Sequence, residues 1–388
     1  SAYMNLSYTH CPPDRFDEIF AATMHFLTTT EIVLYEDAQR GRIPKEQFFI
    51  ECQMFLNKFP EMHDENDLGV MRARIDEAVF QYYAVNPYVK DPNGSDIKIC
   101  GARDIRVRVK GKAYQSEACF LDDVDLSYFI KGIAIRNKVP IESRPVITFT
   151  DDYDENYKLR FVISLPIVNA VDHPYLHIRK IPKKKPTLDD LIVENMLDEK
   201  IKTYIIEKVK SSHGIAIAGP PGSGKTTLLN AAIEYIPRTR ETLVIQENDE
   251  LHTKQTGFMF KHVTHGFNGE PVYTQEDLGR FALVEGCNEF VIGEAKGGEM
   301  RSIATLVNSG GYGMLSLHSN SADQMTEKMA DLIKYGSTYS YEEAKRMVRV
   351  FETLIYMEGY KVQEILEIER YDDDRKDFVY RRIYKREA

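Results

Sequence analysis

The residues with the clearest chemical potential form the run Gly-Pro-Pro-Gly-Ser-Gly-Lys-Thr-Thr. This run fits G-x-x-x-x-G-K-[ST], the pattern of a phosphate-binding P-loop. Its glycines let backbone N–H groups turn toward phosphate oxygens, and the following helix adds its positive end. We expect Lys225 to reach the β- and γ-phosphates and the hydroxyl of Thr226 to hold Mg²⁺. The predicted site for a nucleoside triphosphate therefore consists of Gly219, Pro220, Pro221, Gly222, Ser223, Gly224, Lys225, Thr226 and Thr227.

Acidic residues follow two later apolar segments, each predicted to be a strand. Residues 242–246 end in Glu-Asn-Asp-Glu, where Glu247 or Glu250 could polarise the attacking water, directly or through Mg²⁺. Residues 290–293 lead into Glu294, the best candidate to orient water or to hold the metal's water shell. Carboxylates at the carboxyl ends of parallel strands lie where ligands bind in such sheets. The alternative for Glu247 and Glu250 is a solvated turn, and the alternative for Glu294 is a strand-end carboxylate without such a role. We expect Gly293 to permit close packing on the P-loop.

A third apolar segment, residues 314–317, ends in His318 between a Gly-rich and a Ser-rich turn. A histidine there could hydrogen-bond the γ-phosphate and report its presence. We expect His252, His262 and His265 to be surface or structural residues, because nothing comparable surrounds them.

The elements that must position these residues follow from periodicity. Helical spacing covers about 13–59 and 67–85, then short strands, one helix and a hairpin follow up to about residue 164. Lys183-Lys184-Lys185-Pro186 is basic and broken by proline, which is typical of a linker, and Thr187 then caps a helix. The remainder alternates strand and helix, which predicts a parallel sheet with helices on both faces and a C-terminal hairpin.

Composition limits the function classes. The 388 residues are too many for one core, so two or three domains are expected. A net charge of −10 argues against a dedicated nucleic-acid binder. Five scattered cysteines without C-x-x-C spacing predict reduced thiols. No apolar stretch approaches the ~20 residues of a membrane span, so membrane association is expected only through partners.

In their order along the chain, four segments resemble the traffic ATPases of type II secretion, type IV secretion, type IV pili and Flp/Tad pili. They are similar to that family's Walker A, Asp box, Walker B and His box: 219–227, 247–251, 293–299 and 308–321. Residues 86–112 resemble the start of the family's N-terminal domain, and 176–180 with 187–191 resemble its interdomain linker. The resemblance covers about residues 70–388.

The resemblance implies an α/β protein with a RecA-like P-loop ATPase domain (191–388), a linker (183–190) and a smaller α/β N-terminal domain (69–182). Residues 1–68 would be an added helical segment. It also implies a homo-hexamer that binds ATP and Mg²⁺ between the domains. Arg160 and Arg179 match positions whose arginines touch phosphate. Expected partners are inner-membrane secretion or pilus platform proteins and a coupling ATPase, at the inner face of the cytoplasmic membrane.

The chain also departs from the family pattern. Gln246-Glu247 stands where Glu-Asp usually begins the Asp box, and Lys296 replaces the arginine that commonly follows the Walker B acid. Val284 and Gly286 stand where arginines usually precede the Walker B strand. The four-cysteine module of many relatives is absent from the sequence, which favours the conjugation or Tad branch.

We therefore expect a hexameric ATPase that powers a type IV secretion or conjugation apparatus. A Flp/Tad pilus ATPase is the nearest alternative. Two further alternatives are a nucleic-acid motor, which would show DNA-stimulated ATP turnover, and a nucleotide-gated scaffold, which would show negligible ATP turnover. We expect no direct sequence-specific nucleic-acid binding.

Overall fold

The structure is a computed structural model that describes residues 13–109, 112–141, 145–166, 169, 171–265 and 271–388. The chain divides into two compact units, with the division between Lys183 and Lys184. Each unit has its own sheet and its own core, and each is described by itself.

The first unit begins with a group of helices. Acidic N-caps start two of them: Asp14 forms a capping box with Asp17, and Asp64 accepts hydrogen bonds from the first turn of the fourth helix. The helices of this unit are α1 (Arg15–Thr28), α2 (Ile32–Gln39), α3 (Lys45–Leu56), α4 (Glu65–Phe80), α5 (Asn86–Lys90) and α6 (Asp123–Arg136).

A six-stranded antiparallel sheet completes this unit, in the order β3-β2-β1-β6-β5-β4. Its strands are β1 (Gly94–Gly101), β2 (Asp104–Val109), β3 (Lys112–Gln115), β4 (Val146–Asp151), β5 (Tyr157–Ser164) and β6 (Tyr175–Pro182). Residues 176–180, whose sequence resembles an interdomain linker, lie inside strand β6. Alternate side chains of this segment enter the core, so it is part of the sheet, and the linker at 183–190 stays a prediction.

One hydrophobic core joins the early helices to this sheet. Phe20 of α1, Phe48 of α3 and Ile75 of α4 are buried in the same cluster as Phe161 of β5. The division of this region into a helical segment (1–68) and an α/β domain (69–182) stays a prediction. In the structure, the described helices before residue 69 supply part of the core on which the sheet packs.

The second unit alternates strands and helices. Its helices are α7 (Leu188–Val193), α8 (Glu199–Ser211), α9 (Lys225–Ala232), α10 (Gln275–Val284), α11 (Glu299–Asn308), α12 (Met325–Lys334) and α13 (Tyr341–Val348). Its strands are β7 (Gly214–Ala218), β8 (Thr242–Gln246), β9 (Phe258–His262), β10 (Thr264–His265), β11 (Pro271–Tyr273), β12 (Glu289–Ile292), β13 (Tyr312–Leu317), β14 (Thr353–Glu358), β15 (Lys361–Asp372) and β16 (Asp377–Lys385).

Eight of these strands form one sheet, in the order β16-β15-β14-β7-β13-β12-β8-β9. The six from β14 to β9 are parallel, and β15 and β16 add the predicted antiparallel hairpin. Ala216 and Leu315 face one buried cluster, whereas Ile215 and Met314 face another on the opposite side. This arrangement confirms the predicted parallel sheet with helices on both faces.

The segment that follows the division is fixed to the second unit. The ammonium of Lys185 donates to the carbonyl oxygens of Asn230 (2.8 Å) and His252 (2.6 Å), and it pairs with Glu234. Thr187 forms a capping box with Asp190 at the start of α7, as predicted. Over the described residues, no helix combines the length and the hydropathy that a membrane span requires.

Candidate functional site

The P-loop connects β7 to α9 at the centre of the sheet. Ala218, the last residue of β7, pairs with Leu317 of β13 on one side and with Tyr356 of β14 on the other. The loop therefore leaves the carboxyl edge of the sheet between the ends of two parallel strands. This is the edge where ligands bind in parallel sheets.

Glycine is required at particular points of this loop. Gly222 and Gly224 have φ values of +74° and +93°, which L side chains rarely adopt. A β-carbon at Gly219 would lie 2.4 Å from the carbonyl oxygen of Met357 and 2.4 Å from Oγ of Ser223. The sequence pattern is therefore matched by a backbone that only glycine accommodates.

One polar atom of the loop supports a phosphate ligand. Oγ of Ser223 is buried and has no hydrogen-bond partner among the described residues. A buried unpaired hydroxyl is costly, and a phosphate oxygen is an acceptor that would satisfy it. Lys225, the first residue of α9, donates to the carbonyl oxygen of Gly219 at 3.2 Å. The loop residues thus fit a nucleotide phosphate chain.

Glu294 is the centre of the polar cluster beside the loop. Its Oε1 lies 3.0 Å from Nζ of Lys225 and 2.8 Å from Nε2 of His318. Its Oε2 lies 3.2 Å from Nζ of Lys296, which also contacts Oε2 of Glu247 at 2.9 Å. The ends of β7, β8, β12 and β13 thus bring together predicted residues that are distant in sequence.

Burial and the neighbouring opposite charges shift the pKa values of these groups in opposite directions. Burial raises the pKa of Glu294, but Lys225, Lys296 and His318 together lower it below its ordinary value. Burial lowers the pKa of Lys225, and Glu294 offsets only part of that effect. For Lys296, Glu247 and Glu294 outweigh burial and raise the pKa. Glu294 is therefore held as a carboxylate, the form that can accept a proton from water.

The loop after β8 presents Glu247 toward this cluster. The side chain of Gln246 accepts from the N–H of Leu251 (2.8 Å) and donates to its carbonyl oxygen (3.0 Å), which closes the loop. Glu250 is connected differently, because its carbonyl oxygen accepts from Asn230 of α9 at 2.9 Å. The roles of Thr226 and Glu250 at a metal ion stay predictions.

Gly293 packs against a neighbour that the sequence did not predict. A β-carbon there would lie 3.1 Å from Cβ of Gln246, on the adjacent strand β8. The expectation that Gly293 packs on the P-loop is therefore wrong. Its small size lets β12 and β8 stay close where Glu294 and Glu247 emerge.

The sequence did not predict the part played by Glu299 and Gln275, whose side chains hydrogen-bond to the backbone of residues 294–297 and to each other. Oε1 of the buried Glu299 accepts from the N–H groups of Lys296 (2.6 Å) and Gly297 (2.9 Å). Nε2 of Gln275 donates to Glu299 (3.0 Å) and to the carbonyl oxygen of Glu294 (2.9 Å). The available signal was the Gly-Gly-Glu run before α11, where an acidic residue occupies the first helical turn.

The two predicted arginines lie in the first unit. In the strand register, Arg160 of β5 lies opposite Arg179 of β6, and Arg179 lies opposite Asp96 of β1. Nε of Arg179 lies 3.6 Å from Oδ1 of Asp96. In the second unit, Arg280 pairs with Glu276 and Asp277 of its own helix. A role for Arg160 and Arg179 at phosphate stays a prediction.

Comparison with known protein families identifies the family to which this chain belongs. The family model for the type II/IV secretion system protein matches residues 134–339, more than half of the chain. The chain belongs to this family. The match includes the P-loop, Glu247, Glu294 and His318, so the cluster described above lies within the family's shared region.

Individual relatives are more distant. An uncharacterized protein of Methanocaldococcus jannaschii, MJ1287, is 25% identical over 141 residues, which cover 36% of this chain and 52% of the relative. A probable conjugal transfer protein of Sinorhizobium fredii, TrbB, is 24% identical over 229 residues, which cover 56% and 66%. The chain thus spans about half to two thirds of the length of these relatives.

A solved structure supports the fold. The pilus retraction motor PilT with bound ADP is 17% identical, with a TM-score of 0.51 over 76% of this chain and 80% of PilT. The predicted class is therefore confirmed: a RecA-like domain accompanied by an α/β N-terminal domain.

Proposed function

We propose that this member of the family hydrolyses ATP to ADP and phosphate. The observation that supports the proposal most strongly is the convergence of Lys225 and His318 on one oxygen of Glu294. This contact joins the phosphate-binding loop to a carboxylate that can orient water.

Each residue of the cluster has a separate role in the proposed hydrolysis of ATP. Lys225 neutralises charge on the β- and γ-phosphates, while the N–H groups of the loop hold phosphate oxygens. Glu294 orients the water that attacks the γ-phosphorus, and the bond from that phosphorus to the leaving ADP oxygen breaks. His318 donates a hydrogen bond to the γ-phosphate. Mg²⁺, when bound, neutralises phosphate charge, and Thr226 with Glu250 would hold it.

Lys225 has two competing anionic partners in this scheme. Its contact with Glu294 is an ion pair between a buried ammonium group and a partly buried carboxylate, and a triphosphate offers Lys225 more negative charge. Transfer of Lys225 to phosphate leaves Glu294 with Lys296 and His318 as its cationic neighbours. Glu247, held by Lys296, is the second candidate to polarise water.

The transport role is the finer part of the proposal. We infer that the chain forms a homo-hexameric ring that powers a type IV secretion or conjugation apparatus, in contact with inner-membrane platform proteins and a coupling ATPase. Family membership and the similarity to TrbB, a probable conjugal transfer protein, support this assignment. Arg160 and Arg179 would supply charge to the phosphates.

Steady-state ATPase measurements on the full chain and on Glu294→Gln test the proposal. We expect measurable wild-type turnover and at least a ~10²-fold decrease in the variant, the lower range for loss of a general base. Glu285→Gln serves as the control, because Glu285 is a surface carboxylate that pairs with Lys261. Negligible wild-type turnover with intact nucleotide binding would instead identify a nucleotide-gated scaffold, and strong stimulation by DNA would identify a nucleic-acid motor.

A further inference from the structure

Tyr360 occupies an unusual position beside the P-loop. It lies with Gly359 in the two-residue turn between β14 and β15, and their φ values are +64° and +61°. Two consecutive positive φ values define a type I′ turn, in which Asn, Asp or Gly is normally found. A tyrosine in this conformation is an outlier, and such outliers are concentrated at ligand sites.

The ring of Tyr360 lies against the loop itself. A β-carbon added at Gly224 would be 2.9 Å from Cδ2 of Tyr360 and 2.9 Å from Cε of Met196. Burial raises the pKa of Tyr360, and the neighbouring side chain of Thr227 offsets part of that rise. Nevertheless, 38% of Tyr360 remains exposed. The residue therefore contacts both the glycine before Lys225 and the last residue of the motif while keeping part of its surface available.

The order of the strands indicates how a nucleotide bound in the P-loop would be oriented. On the β13 side lie His318 and, one strand further, Glu294, which contacts Lys225. These residues mark the γ-phosphate end of the proposed substrate. The β14 side is opposite, and Tyr360 follows the end of β14. A phosphate chain held by the loop therefore directs its nucleoside end toward Tyr360.

The turn is also held in place. The N–H of Val362 donates to the carbonyl oxygen of Met196 at 2.9 Å, and Nζ of Lys361 donates to that of Asn195 at 3.2 Å. Arg386 donates to the carbonyl oxygens of Val362 and Met196, both at 2.9 Å. These bonds join the turn to the segment between α7 and α8, so the ring is positioned before any ligand arrives.

We propose that Tyr360 is the base-contacting residue of the nucleotide site, with its ring stacked on the nucleobase beside the P-loop. The proposal rests on the proposed function, because it requires a nucleotide in the loop. Base-on-aromatic stacking favours a purine over a pyrimidine, because the larger base covers more of the ring. Tyr360 thus contributes to the choice of ATP over UTP.

The test compares ligands with and without a base. ADP and inorganic pyrophosphate both present two phosphates, and their affinities are measured by calorimetry with Mg²⁺ on the full chain. Tyr360→Gly removes the ring, and glycine adopts φ of +64° freely, so this variant keeps the turn. We expect about tenfold weaker ADP binding, the range for one stacked base, and pyrophosphate affinity within about twofold of wild type. Tyr360→Phe should retain ADP binding.

Two controls make the outcome specific. Tyr335→Ala removes a tyrosine of the same unit that is 79% exposed, and it should change neither affinity. Tyr360→Asn repeats the test with the other residue that tolerates this conformation, should Tyr360→Gly fail to fold. The ratio of ATP to UTP affinity should fall toward one in both ring-deleted variants.

Unchanged ADP affinity in Tyr360→Gly would overturn the proposal. Equal loss of ADP and pyrophosphate would also overturn it, because the ring would then only shape the loop. Failure of the proposed function would look different: Lys225→Ala would bind both ligands as wild type does, or wild-type protein would bind neither.

Discussion

Nε2 of His318 lies 2.8 Å from the same carboxylate oxygen of Glu294 that faces Lys225. The residue at the end of β13 is thereby coupled to the acid at the end of β12. A group that contacts phosphate on one side and Glu294 on the other can align the acid with the substrate.

His318→Ala should lower the rate of ATP hydrolysis about 10²-fold and change ADP affinity by less than about twofold, because ADP lacks the γ-phosphate. Single-turnover hydrolysis and ADP titration separate the two effects. His318→Asn, which keeps a donor, should recover part of the rate. If ADP binding fell as much as turnover, His318 would support the fold rather than the reaction.

Lys225→Ala should remove nearly all binding of ATP and ADP, because it removes the loop's ammonium group from the β- and γ-phosphates. Titration with a fluorescent ATP analogue measures the loss. Lys208→Ala is a matched control, since Lys208 pairs with Glu367 away from the loop. Affinity within about twofold of wild type would refute the P-loop assignment.

Lys296→Ala should shift the acid limb of the pH–rate profile upward. Lys296 lowers the pKa of Glu294, and the reaction needs the carboxylate form. Loss of this cation raises the pKa of Glu294, so activity is lost at a higher pH as the solution is acidified. Lys296→Arg keeps the charge and should leave the limb in place. An unchanged limb in Lys296→Ala would show that another group controls the profile.

Asp96→Asn should destabilise the first unit at neutral pH. Burial raises the pKa of Asp96, but hydrogen bonds from His177 and Ser95 and the charge of Arg179 lower it to about 2. A carboxyl with a lowered pKa contributes stability above its unfolded pKa, near 3.9, and loses it as pH falls through 2. The contribution at pH 7 is about 2 kcal/mol.

Denaturant titrations of both proteins at several pH values check this prediction. The difference between wild type and Asp96→Asn should shrink as pH falls below 4. Asp104→Asn, which breaks a surface pair with Arg106, should change stability by less than about 0.5 kcal/mol. A pH-independent difference would mean that Asp96 acts through packing.

Arg160→Ala and Arg179→Ala should reduce turnover more than nucleotide affinity. An arginine that arrives from outside the P-loop unit stabilises charge in the transition state and can be worth about 10³-fold or more in rate. Rate and affinity are measured separately for each variant. Normal turnover in both would leave Lys296 and Arg280 as the cationic candidates.

The sequence predicted which residues come together at the candidate site better than it predicted the contacts around them. Motif spacing selected Lys225, Glu294 and His318, and the structure brings these side chains together, because strand ends in a parallel sheet meet at one edge. It did not predict that Gly293 packs on Gln246, since strand order is not encoded in spacing. The role of Glu299 was not predicted, because it combines two local hydrogen bonds, from the N–H groups of Lys296 and Gly297, with one from the distant Gln275.

The fold of the first unit was harder to predict for a related reason. Strand β6 alternates buried and partly exposed residues, yet its Leu-His-Ile-Arg-Lys run was compared only with the family's interdomain linker and was not predicted to be a strand. The core shared by α1, α3 and the sheet joins residues more than 100 positions apart. No local pattern reports such contacts.

The contacts of Lys185 determine where a force applied to the preceding chain would act. Its ammonium is bonded to the carbonyl oxygen of Asn230, five residues beyond Lys225 on the same helix. Tension applied to the chain at residue 184 would therefore reach, through Lys185, the helix whose first residue is Lys225, as well as the loop after β8 that contains His252. The chain would act as a short tether between an external load and the phosphate-binding end of that helix.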